Sequence, residues 1–222
     1  MIEAWEFAVR RPELIAEWAL AHMVLVAVAI VLAVVLGVAI GIYVSGEGRE
    51  RTAATVLYLA EILMTVPSLA LFGLLMLLLG TLGLKTIGFL PAVIALIVYG
   101  QLPILRNTYI AIKSVDPAMI EAGRGMGMNE VELLVRVKLP LAVPVIMAGL
   151  RNAIVLIIGI AAIAALIGAG GLGAPIFRGL RNARMDLIII GGISVSVLAL
   201  LIDGFMSLVE HWVTPKGLQK KG

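Results

Sequence analysis

The 222-residue chain has no cysteine, which excludes disulfides, thiolate nucleophiles and cysteine-ligated metals and leaves the redox compartment unread. Charge is scarce too: Asp, Glu, Lys and Arg make up 14% of residues, against about 25% in globular proteins. Aromatics reach only 5%, and no basic stripe with interleaved aromatics marks a nucleic-acid surface. No P-loop, G-x-S-x-G or H-E-x-x-H signature is present. The two histidines, His22 and His211, lack metal-ligand spacing. Neither a metal nor a bound cofactor is expected.

What the chain has in excess is apolar surface. Hydrophobic residues make up 62% and the mean hydropathy is +1.12. A soluble fold of this size cannot hide that much, so the surplus faces lipid or sister helices. The expectation is an all-α, polytopic integral membrane protein with about five spans. Residues 1–18 read as an extracytoplasmic amphipathic lead-in, 19–210 as the transmembrane domain, and 211–222 as a basic cytoplasmic tail. The spans fall near 19–44, 52–79 with Pro67 inside, 89–109, 149–167 and 187–209. The fourth is started near Gly149 because Arg151 can then snorkel to the interface. Gly37 and Gly41 make a small-xxx-small pair for close helix packing.

Ten basic residues, among them Arg49, Arg51, Arg106, Lys113 and Lys138, collect on one side of these spans. Six, including Lys85, Arg178, Arg181 and Arg184, collect on the other. By the positive-inside rule the ten-residue side is cytoplasmic. A multi-pass protein of the cytoplasmic (inner) cell membrane is expected, with its N-terminus outside and its C-terminus inside.

The long charged stretch, about 110–140, reads as two short helices meeting at a glycine. Asp116-Pro117 starts the first, Gly125 and Gly127 break it, Asn129 caps the second and Pro140 ends it. Such a knob on the cytoplasmic face fits either a partner's cleft or the membrane surface.

Within it, Glu121-Ala122-Gly123, three residues, Gly127, nine residues, then Val137-Lys138-Leu139-Pro140 resembles the coupling loop of type I (MetI-like) ATP-binding-cassette importer permeases. Thr65 to Leu71, Leu102 to Tyr109 and Ile167 to Gly173 look like the glycine betaine/choline/carnitine (osmoprotectant) branch. The resemblance hands an ATPase-coupling role to Glu121, Ala122, Gly123, Gly127, Leu139 and Pro140, with Glu121 ordering the loop through hydrogen bonds. It also implies partners: two copies of a cytoplasmic ABC ATPase that binds the ATP, a second permease subunit (a homodimer or a paralogue), and an extracytoplasmic substrate-binding protein, all around a lipid-embedded pathway.

Elsewhere, Glu61 and Asp203 are carboxylates inside spans and Tyr99 is a deep aromatic. All three are candidates for the pathway. Gly168, Gly170 and Gly173 spell G-x-G-x-x-G without the strand a dinucleotide site needs, and read as a hinge or close packing. Arg178, Arg181 and Arg184 recur every third residue, roughly one helix face, where an acidic partner or water would suit them. An ion-coupled transporter or channel subunit, or a membrane scaffold, remains open on the residues alone.

Overall fold

The computed structural model describes residues 6–7 and 9–214 and is helical, with no strand among the described residues. Helix α1 (Pro12–Val44) is followed by α2 (Glu50–Thr65) and α3 (Ser68–Thr81), then α4 (Phe89–Lys113). The loop helices are α5 (Pro117–Gly125) and α6 (Glu130–Leu133), which passes through a π turn, Leu134–Lys138, into α7 (Leu139–Ile163). A 3₁₀ turn, Ala164–Ile167, leads to α8 (Gly173–Arg181) and α9 (Met185–Val213). Four helical stretches are long and apolar enough to cross a membrane, or five if the α2–α3 pair is one span.

The second expected span, 52–79 interrupted by Pro67, bends sharply at that proline, where α2 and α3 meet at 103°. Val66 is extended, with φ −65° and ψ 126°, since the ring of Pro67 disfavours helical backbone at the residue before it. Pro67 itself has φ −56° and ψ 136°, and α3 begins at Ser68. The break frees the Val66 carbonyl, and the Tyr99 hydroxyl of α4 donates a hydrogen bond to it.

Helix α4 is the hub, and glycines let its neighbours approach. A Cβ on Gly37 of α1 would come within 2.6 Å of Ile104 Cγ2, and one on Gly41 within 2.7 Å of Thr108 Cβ. This is the close packing the Gly37–Gly41 spacing predicts. On the other side Gly100 sits against Ile157, and Gly149 of α7 against Asn107 and the Pro103 carbonyl. The core so formed gathers Leu25, Phe72, Leu96, Tyr99, Ile157 and Ile158. Large apolar side chains such as Val31, Leu200 and Phe205 point outward, as a lipid-facing surface requires.

Two boundaries differ from expectation. Pro140 does not end a helix, since helix runs without interruption over Glu130–Ile167. Its missing N–H and its ring clash with the carbonyl four residues back fall where the π turn has already widened the ladder. No helix boundary falls at Gly149, and Arg151 lies inside a continuous helix. Nor does the chain break at residue 18, because α1 runs on from Pro12. Residues 1–5, 8 and 215–222, which hold much of the expected lead-in and tail, lie outside the described residues.

Candidate functional site

The loop between α4 and α7 is built almost entirely from local bonds. The Asp116 carboxylate accepts from the Ala118 amide at 2.9 Å, and Pro117 takes the first helical position. At the far end of α5, the Met128 amide donates to the Gly123 carbonyl at 3.1 Å and the Gly127 amide to that of Arg124 at 2.9 Å. These are the paired bonds of a Schellman stop. Gly127 has φ +83°, a left-handed backbone that costs other residues about 1 kcal/mol. Asn129 Oδ1 then accepts from the Val131 and Glu132 amides, both at 3.0 Å. Glu132 returns a carboxylate oxygen to the Asn129 amide at 3.0 Å, which completes a capping box.

Packing holds the two loop helices together. Leu133 is fully buried against Gly123, where a Cβ would lie 2.5 Å from Leu133 Cδ2. Leu139 packs with Ala111, Ile112 and Ala142, a small apolar cluster at the root of the loop. The outward surface carries Glu121, Ala122, Met126, Val131 and Val135, all exposed, with Met126 at 71% and Val131 at 70%. An apolar patch on a rigid, doubly capped hairpin is the shape of a docking knob.

Glu121 does not order this loop, for its side chain makes no hydrogen bond or ion pair among the described residues. Arg124 does so instead. Its Nη2 donates to Glu47 Oε1 at 2.5 Å and to Glu130 Oε1 at 2.9 Å, tying α5 to the loop between α1 and α2 and to α6. The hydrogen bond from Arg124 is the main reason the Glu47 carboxyl is held below the usual range. The bond to Glu130, with that to Glu47, raises the guanidinium above its own. Lys113 pairs with Glu50 at 3.0 Å and steadies the same base. No local pattern marks Arg124 and Glu47 as partners.

In the spans, the expected lone acids are paired. Glu61 of α2 meets Arg106 of α4. Asp203 of α9 accepts from Arg151 Nε and Nη2, both at 2.9 Å, while Arg151 Nη1 donates to Glu210 at 2.9 Å. Arg151 is thus held by two carboxylates across α7 and α9. A cavity of about 640 Å³ opens beside these groups. Tyr99 is 4% exposed and enclosed in its own subunit's core.

The glycine-rich connection packs closely. Gly168, Gly170 and Gly171 have positive φ, and Gly173 sits where a Cβ would run into the Ala162 backbone. Gly171 lies on the ring of His22, whose Nδ1 accepts from the Leu172 amide at 3.3 Å while Nε2 donates to the Ile158 carbonyl at 3.2 Å. His22 therefore pins α1, α7 and the connection together, a role its sequence neighbours do not betray. The three arginines do not share one helix face. Helix α8 stops at Arg181, while Arg184 precedes α9 and forks onto Asp186. Among the described residues no group of three or more His, Asp or Glu side chains could hold a metal ion.

The family model for the binding-protein-dependent transport system inner membrane component matches residues 33–215. The carnitine transport permease protein OpuCB of Listeria monocytogenes is 45% identical over 170 residues, 77% of this chain and 75% of that protein. The glycine betaine/carnitine/choline transport system permease protein OpuCB of Bacillus subtilis is 44% identical over 170 residues, 77% of this chain and 76% of its own. Among solved structures, the inward-facing MetNI methionine ABC transporter superposes with a TM-score of 0.81 over 93% of this chain and 99% of that one, at 21% identity. That likeness speaks for the fold.

Proposed function

The chain belongs to the family of binding-protein-dependent transport system inner membrane components, the permeases of ATP-binding-cassette importers, and from that premise we propose that it passes a compatible solute across the cytoplasmic membrane. The solute class is the quaternary ammonium compounds, glycine betaine, choline and carnitine, which the names of relatives at 44–45% identity carry. The observation that carries the coupling half of this reading is the doubly capped hairpin 116–133 with its exposed methionine and valine patch. A helix closed at both ends transmits a push without fraying, so this knob is the seat for the cytoplasmic ATPase. ATP is bound and hydrolysed in that partner, since this chain has no phosphate-binding loop.

One subunit is few helices for a pathway, so two permease subunits, identical or paralogous, enclose it, each seated on one of two ATPases. An extracytoplasmic binding protein delivers the solute. The termini follow the basic-residue bias, N-terminus outside and C-terminus in the cytoplasm.

The test is reconstitution in proteoliposomes with the ATPase and the binding protein. ATP-dependent accumulation of labelled betaine, choline or carnitine is expected, and it should stop when either partner is left out. Accumulation without ATP, or of none of the three solutes, overturns the reading.

A further inference from the structure

We propose that Arg151 is the positioning residue through which the inner half of α9 follows the coupling loop. Helix runs uninterrupted over Glu130–Ile167, so a displacement of the knob reaches α7 along a single rod. Helix α9 lies beyond the glycine-rich connection and is not part of that rod, so it follows α7 only through side-chain contacts. Its outer half is gripped by α8, where Gly191 sits against Ile176 and the Leu172 carbonyl. Its inner half meets α7 across the cavity of about 640 Å³ lined by Ala148, Asn152, Val155 and Leu156 on one side and Asp203 and Glu210 on the other. Ile202 and Met206 of α9 pack, only partly buried, against the core beside this space, and the polar group that joins the two helices there is the Arg151 guanidinium. Arg151 bridges it.

The geometry suits a lever. Both Asp203 oxygens accept from the guanidinium, from Nε and from Nη2, and Glu210 accepts from Nη1, each at 2.9 Å. Positions 203 and 210 are two turns apart, about 10.5 Å along one face of α9. A planar fork on one carboxylate sets the rotation of α9, and the third bond two turns away sets its register. The three side chains are only 28–36% exposed, so a charge that loses its partner there is poorly compensated. Lysine has three donors on one nitrogen but lacks the planar fork that meets both Asp203 oxygens from Nε and Nη2.

The inference goes beyond the solute assignment. It rests on the ATPase-driven reading but not on which solute is carried, so uptake is measured with whichever solute the wild-type complex accumulates. The quantity read in the full reconstituted complex is ATP hydrolysed per solute imported. A merely structural role lowers the yield of complex and leaves this ratio alone. Arg151→Met is expected to raise the ratio about tenfold or more, with Arg151→Lys and Glu210→Gln in between, about two- to fourfold. If Arg151→Met does not assemble, the two milder variants decide. A ratio within about twofold of wild type in the variants that assemble overturns the proposal.

Discussion

The guanidinium of Arg124 and the carboxylate of Glu47 lie 77 residues apart in sequence and 2.5 Å apart in space. Through this contact the loop between α1 and α2 braces the α5–α6 hairpin. Glu47→Gln is expected to loosen the α5–α6 hairpin without unfolding the spans, seen as faster amide exchange over residues 117–133. The Glu47 carboxyl is held below its ordinary value of 4.5, so the bond is complete above that pH and is lost as pH falls through the lower, folded value. The exchange difference between wild type and Glu47→Gln should therefore shrink on acidification. It should also shrink in high salt, because the pair is exposed. A difference independent of both would remove the ion pair from the account.

Two glycines of the knob are expected to respond differently to the same change. At Gly123 an added Cβ meets the end of the flexible Leu133 side chain, so Gly123→Ala should retain transport within about twofold while the bulkier Gly123→Val overfills the site. At Gly127 the obstacle is the backbone, φ +83°, and Gly127→Val should cut uptake at least about tenfold with normal insertion. ATPase retention on purified permease, measured with uptake, checks both. Equal tolerance at the two positions would contradict this account.

His22 satisfies two backbone groups inside a span. His22→Ala leaves the Ile158 carbonyl and the Leu172 amide without it and opens space behind Gly171. A loss of about 1–3 kcal/mol is expected for the Leu172 amide, which is left unpaired, while the Ile158 carbonyl keeps its helical bond from four residues on. It should appear as a lower unfolding temperature in detergent, and an unchanged temperature would contradict it.

Tyr99→Phe removes the donor to the Val66 carbonyl at the α2–α3 break and leaves the ring in the core. Uptake should fall by less than about tenfold, roughly 1.4 kcal/mol. Under the proposal that an extracytoplasmic binding protein discriminates among solutes, competition among betaine, choline and carnitine should keep its order. A reordered preference would show a selectivity site in the membrane subunit.

Cysteines placed at Arg181 and Lys220 of this cysteine-free chain should react with impermeant thiol reagents from outside and from the cytoplasm respectively. Labelling of both from one side would mean the span count is off by one.

Whatever depended on neighbours a few residues apart was legible in the sequence. Long apolar runs set the spans, because a bilayer demands about 20 apolar residues in a row. The Asp116, Gly127 and Asn129 caps could be read because a cap bonds two to five residues away. The G-x-x-x-G pair in α1 announced a close approach, though not that Ile104 and Thr108 would fill it. Only the tertiary structure decided the rest. Arg151, read as a snorkelling residue, found Asp203 and Glu210, 52 and 59 positions away. His22 found Leu172 at a separation of 150, and Tyr99 found the carbonyl that Pro67 had freed. Pro140, read as a stop, became part of a helix because the π turn before it widened the ladder. A buried polar group must find a partner, but which partner depends on helices meeting in space, and no local pattern records that.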